Sequence, residues 1–76
     1  MTKTRTAADP LLLRLNGRVR EVERGMDLSA LLVGLGIEPR AVIVEHNGRI
    51  LRPGDFEGVA LSSGDRVEIV HFVGGG

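Results

Sequence analysis

The stretch Gly25-Met26-Asp27-Leu28-Ser29-Ala30-Leu31-Leu32-Val33-Gly34-Leu35-Gly36 decides the fold. Leu28, Leu31, Leu32 and Leu35 recur at i, i+3, i+4 and i+7, which gives a helix with one apolar face. Met26-Asp27-Leu28 opens it. The Asp27 carboxylate can accept from the free N–H groups of the first turn, and its charge suits the positive end of the helix dipole. Gly34 and Gly36 bracket the far end, either able to take a left-handed cap, and Pro39 forbids continuation. A helix of about eight residues does not survive alone in water. The leucine stripe therefore has to dock on a sheet.

The flanking sequence supplies that sheet as two hairpins and a strand. Upstream, Leu11 to Leu15 places Leu11, Leu13 and Leu15 on one face and Leu12 and Arg14 on the other. Asn16-Gly17 follows, a pair suited to the type I′ turn, which needs positive φ twice. The return strand runs from Arg18 to Glu23. Its Val19 and Val22 are three apart, which breaks alternation and predicts a bulge or an early end to pairing. Downstream, Ala41 to His46, a second Asn-Gly at Asn47-Gly48, and Arg49 to Arg52 repeat the pattern, and Pro53-Gly54-Asp55 closes it. Residues 55–61 read as a loop anchored in the core by Phe56, and Ser63-Gly64-Asp65 as a turn. The last strand is Arg66 to Val73, with Val67, Ile69 and His71 on one face and Glu68, Val70 and Phe72 on the other.

Hairpin, helix, hairpin, strand is an α+β order. It predicts a mixed sheet of four to five strands packed on one helix, with the apolar last strand central beside the first. This is the ubiquitin-like, or β-grasp, arrangement. Residues 1–10 read as a flexible lead-in, 11–73 as the domain, and Gly74-Gly75-Gly76 as a mobile tail.

Composition narrows the chemistry. The chain has 76 residues, enough for one small domain, and contains no cysteine. A disulfide framework, a thiolate metal site and a thiol nucleophile are excluded. Ten basic and ten acidic residues cancel, so no overall field draws the chain to nucleic acid or membrane. No apolar run reaches the ~18 residues of a membrane span. The first ten residues lack the apolar stretch of a signal peptide. A cytoplasmic chain, monomeric on its own, is expected.

Side chains offer no catalytic constellation. His46 reads as a solvated strand end and His71 as a half-buried, hydrogen-bonded residue in phase with Val67 and Ile69. Neither has further ligands at metal spacing. Ser29, Ser62 and Ser63 lack a nucleophile-elbow context. Asp55, Glu57, Asp65 and Glu68 read as solvated surface. The glycine-rich stretches do not lead into a helix, so they do not cradle phosphate.

The backbone end is different. Val73-Gly74-Gly75-Gly76 carries its α-carboxylate on a stalk without side chains, reaching roughly 10 Å when extended. Such a stalk can thread a narrow channel in another protein. The carboxylate is ionised, with a pKa near ~3.5, and inert until activated. Lys3 is the sole lysine and cysteine is absent, which limits self-acylation once that end is an acyl electrophile. Beside the tail, the outward phase of Val70 and Phe72, with Val73 following and Leu12 on the neighbouring strand, predicts an apolar contact patch for partners.

Four segments carry a resemblance: L-x-L-N-G-R at Leu13 to Arg18, R-G-M-D-L-S-A-L-L from Arg24 to Leu32, V-I-V-E-H-N-G-R-I-L at Val42 to Leu51, and S-G-D-R-V-E-I-V-H-F-V-G-G-G to the end. Together they resemble the ThiS-type sulfur carriers of thiamine biosynthesis. The resemblance implies a protein cosubstrate, not an enzyme. Gly76 would be the modified residue, with Gly74 and Gly75 as the threading segment. An E1-like adenylyltransferase (ThiF-type) would adenylate the Gly76 carboxylate. Sulfur from a donor such as a cysteine desulfurase would convert it to a thiocarboxylate, and that would serve thiazole synthase (ThiG-type). ATP and Mg²⁺ would belong to the activating enzyme, with no cofactor bound to this chain.

The same tail chemistry serves other carriers: the small subunit of molybdopterin synthase, carriers for cysteine synthesis, and small protein modifiers. The approach here, Val70-His71-Phe72-Val73, contains no proline, which several of those have. From another class, Val44 to Gly54 and Ser63 to Val70 resemble strands of an S4-type RNA-binding module. That module wants basic helices and net positive charge, and this chain has neither. A plain β-grasp interaction module with an inert tail is the remaining alternative.

Overall fold

In the computed structural model, which describes residues 9–72, both Asn-Gly pairs turn with positive φ: +48° and +84° at Asn16 and Gly17, +51° and +88° at Asn47 and Gly48. That is the type I′ geometry, whose twist matches the flanking strands. The first turn joins β1 (Leu11–Leu15) to β2 (Arg18–Val22), and the second joins β3 (Val42–His46) to β4 (Arg49–Leu51). The last strand, β5 (Arg66–His71), lies between the two hairpins, giving the order β2-β1-β5-β3-β4. It runs parallel to β1 and antiparallel to β3.

No bulge forms in the first hairpin. Leu11 to Leu15 pair one for one with Val22 back to Arg18. Val22 faces the core at 5% exposed, and Val19 stands on the outer face at 65%. The odd spacing of the two valines reflects an exposed valine on the outside of an edge strand, not an inserted residue. The strand ends at Val22, one residue short of the predicted Glu23. β5 likewise ends at His71 rather than Val73, although the Phe72 N–H still donates to the Ala41 carbonyl at 2.8 Å.

The helix α1 (Leu28–Gly34) covers one face of this sheet. Asp27 is its N-cap, one carboxylate oxygen accepting from Ala30 N at 2.8 Å and the other from Gly58 N at 2.9 Å. Those two backbone bonds, Gly58 first, hold the Asp27 carboxyl below its usual pKa. At the far end Gly36 takes the left-handed conformation at φ +76°. Gly36 N donates to Val33 O and Ile37 N to Leu32 O, a Schellman closure that satisfies two of the last carbonyls. Pro39–Ala41 forms a single 3₁₀ turn before β3.

The core is the inward row of each strand under the leucine stripe. Leu13, Leu28, Leu32, Val42, Val44 and Val67 are essentially inaccessible. Each contributes roughly 1.5–3 kcal/mol of burial. Phe56, 2% exposed, plugs the base of the long loop as predicted. Among the described residues, no helix is long and apolar enough to cross a membrane.

Candidate functional site

β5 is the last element before the C-terminal glycines in the sequence, so the contacts that hold it come first. It pairs with β3 along its length, from His46↔Val67 to Val42↔His71. With β1 it pairs only at Arg14↔Arg66 and Leu15↔Val67. The two turn asparagines supply the remaining bonds. Asn16 Oδ1 accepts from Ile69 N at 2.7 Å, and Asn47 Oδ1 accepts from Arg66 N at 2.8 Å. The same two residues donate their backbone N–H groups to Val67 O and Arg66 O. Both hairpin turns therefore grip the tail strand. A glycine or serine in their place lacks the carboxamide oxygen that satisfies these strand donors.

Asp65, immediately before β5, is not the solvated carboxylate expected from the sequence. It is 9% exposed and accepts from His46 Nε2 at 2.8 Å, Asn47 Nδ2 at 3.0 Å and Ser62 N at 2.9 Å. Burial works against its charge, but the bonds from His46, Asn47 and Ser62 outweigh it, and its carboxyl sits below the usual range. His46, expected to be solvated, is half-buried against it. The cluster ties the second turn to the start of β5.

His71 departs in the opposite direction. It keeps the inward phase, but exposure rises along that row from Val67 at 0%, through a half-buried Ile69, to an exposed His71. Past Ile69 the strand has left the Asn16-Gly17 turn behind and is flanked by β3 alone. The predicted half-buried, bonded histidine is instead solvent-facing on an overhanging strand end.

Among the described residues nothing covers the sheet face away from the helix, and its side chains sort by level along β5. Nearest the tail, Val70 lies opposite Ile43, with Phe72 beyond; Val70 and Phe72 are 61% and 52% exposed. At the next level Glu68 lies opposite Glu45, which in turn lies opposite Ile50. At the third, Arg66 lies opposite Arg14, and Arg14 opposite Val19. Leu12 shares this face at 39% exposed, but its carbonyl accepts from Gly64 N. It stands six residues of strand, about 20 Å, from Val70. The expected patch of Val70, Phe72 and Leu12 is thus corrected: parallel pairing of β1 with β5 puts Leu12 at the opposite end. Val73, Gly74, Gly75 and Gly76 lie outside the described residues.

Among the described residues no group of three or more His, Asp or Glu side chains is placed to hold a metal ion. What the site offers is a projecting strand end, an apolar patch beside it, and charged rows behind. The grip of the asparagines and the like-charge rows were not read from the sequence. An Asn-Gly pair reports its own turn, while the strand it bonds lies far along the chain. The facing of Glu45 with Glu68 depends on a register that a single strand does not encode.

The ThiS family model matches residues 13–76. The sulfur carrier protein ThiS of Bacillus subtilis is 39% identical over 66 residues, covering 86% of this chain and 100% of that protein. Thiazole synthases of Magnetococcus marinus and Paramagnetospirillum magneticum are each 42% identical over 64 residues, 84% of this chain. The chain spans only 20% of the length of those two relatives. The crystal structure of the thiamine biosynthesis protein ThiS from Geobacter metallireducens superposes with a TM-score of 0.72 at 33% identity, covering 87% of this chain and all of that one.

Proposed function

From the premise that this chain belongs to the ThiS family of β-grasp sulfur carriers, we propose that its C-terminal Gly76 carboxylate is the atom group on which sulfur is carried. A carrier of this kind is a cosubstrate in thiamine biosynthesis and not a catalyst. The observation that supports the reading best is the central, doubly gripped β5, the last element before Gly74-Gly75-Gly76 in the sequence.

The chemistry follows from the inertness of a carboxylate. A Gly76 oxygen attacks the α-phosphorus of ATP in an E1-like adenylyltransferase, and pyrophosphate leaves. The resulting acyl adenylate has AMP as a good leaving group. A sulfur nucleophile attacks the carbonyl carbon and expels AMP. Where the donor is a persulfide, such as one on a cysteine desulfurase, a further thiol then cleaves the S–S bond and frees the thiocarboxylate. Gly76 has no side chain, so both phosphate and sulfur can approach, and the partner excludes water while they do. ATP and Mg²⁺ act in the adenylyltransferase.

Thiazole synthase is the proposed acceptor. Two relatives with that name contain a segment 42% identical to this chain, as expected where carrier and acceptor work together. Val70 and Phe72, with Val73, form the partner contact next to the threading Gly74 and Gly75. Intact-mass analysis tests the reading. After incubation with the adenylyltransferase, ATP and a sulfur donor, the chain should gain about 16 Da at Gly76, the replacement of one oxygen by sulfur. Sulfur found on any side chain, or no gain at all, refutes it.

A further inference from the structure

Glu45 and Glu68 are direct cross-strand partners on the uncovered face, and so are Arg14 and Arg66. Like charges placed opposite each other destabilise a sheet. None of the four has an ion-pair partner within 4 Å among the described residues. The arrangement is not forced by composition. Exchanging Arg66 and Glu68, two positions apart on one face, would pair Arg14 with an acid and Glu45 with a base. The chain instead keeps its charges in rows, acidic next to the apolar tail end and basic farther back.

The two glutamates also line a concavity of about 340 Å³ with Gly48 and Arg66. Gly48 stands at its rim beside open space. The acidic row is continuous with Ile43, Val70 and Phe72, so a protein that covers the tail end must also cover it. Covering two carboxylates without a counter-charge is costly. Arg66 lines the same concavity and can balance only one of the two, so the occupant has to bring a second base.

We propose that this face docks thiazole synthase through a basic side chain of that partner seated between Glu45 and Glu68, with an apolar surface beside it on Ile43, Val70 and Phe72. The proposal rests on the sulfur-carrier reading above and adds the chemistry of recognition. The charged rows also give the face a polarity: a basic group on the glutamates shares their concavity with Arg66 but stays off the Arg14 end of the face, and in that orientation the tail end leads.

The test titrates the full chain against thiazole synthase from the same organism in 50 and 500 mM NaCl, with melting curves and intact masses for each variant. Wild-type affinity should fall as salt rises. Glu45→Gln/Glu68→Gln should bind at least tenfold more weakly in low salt and lose most of that salt dependence. Arg66→Glu/Glu68→Arg, which keeps composition and net charge, should also bind at least tenfold more weakly while melting at or above the wild-type temperature. Wild-type affinity in both variants overturns the proposal, as does weakening that tracks a lowered melting point. It is also overturned if the rows prove to serve a salt-sensitive dimer of this chain, seen by sedimentation, with thiazole synthase binding unchanged. A wild-type chain that takes up sulfur and binds while the variants match it sinks only this docking mode. A wild-type chain that takes up no sulfur sinks the carrier reading itself.

Discussion

The carboxamide oxygen of Asn16 accepts a hydrogen bond from the backbone N–H of Ile69 at 2.7 Å, across 53 residues of sequence. A turn residue in the first hairpin thus holds the last strand of the sheet. Asn16 also sits at φ +48°, so two properties of one residue can be separated by substitution.

Asn16→Gly keeps the backbone freedom and removes the acceptor. It should cost about 1–2 kcal/mol, the net loss of one bond to a strand N–H. Asn16→Ala should cost about 1 kcal/mol more, because a Cβ disfavours the left-handed conformation. Urea unfolding of the two variants measures both. Equal midpoints for wild type and Asn16→Gly would show that the bond contributes nothing.

Asp65 makes stability depend on acid. Its folded pKa lies below its unfolded one, so its contribution is complete above the unfolded value near ~4 and disappears as pH falls through the folded value. Asp65→Asn should lower stability at pH 7 by roughly 1–3 kcal/mol. It should also flatten the acid limb of a plot of stability against pH. An unchanged acid limb would remove Asp65 from the account.

Phe72 is 52% exposed, and truncating it should disturb the fold little. Phe72→Ala is expected to change stability by less than about 0.5 kcal/mol. It should slow sulfur transfer to thiazole synthase or adenylation several-fold at limiting carrier. A large drop in melting temperature with unchanged rates would make Phe72 a structural residue only.

Gly76→Ala tests access at the reacting carbon. The variant should melt like wild type and compete for the adenylyltransferase. It should nonetheless lose at least ~10-fold in pyrophosphate exchange at saturating carrier, or ~1.4 kcal/mol in the barrier. Wild-type exchange would show that the terminal position need not be bare.

Much of the fold could be read from local signals because the chain states them twice. Two Asn-Gly pairs mark two hairpins, and one leucine period between an Asp cap and a Gly end marks the helix. Phe56 could be picked out as the lone aromatic residue of its loop. What escaped depends on which strands lie side by side. The Val19 and Val22 spacing admits a bulge or an early end to pairing, because an outward position on an edge strand has no sequence marker. Leu12 falls at the far end of the face because β1 runs parallel to β5, a tertiary fact that neither strand states alone. Asp65 looked like one more turn aspartate, and the His46 and Asn47 side chains that surround it come from another hairpin. Of the site itself, the sequence alone carries the glycine tail, and the register carries the charged rows.

The central place of β5 also governs how the domain forms. Neither hairpin pairs with the other; each is joined to the sheet only through the last strand. The two halves therefore cannot close into a core before β5 inserts between them, with residue 14 beside residue 66. Long loop closures of this kind slow folding relative to helical domains of the same size, toward the millisecond-to-second range. They also make it all-or-none, since no half is left with a covered face. A chain damaged anywhere in the last strand would then lose its whole sheet, and both hairpins with it.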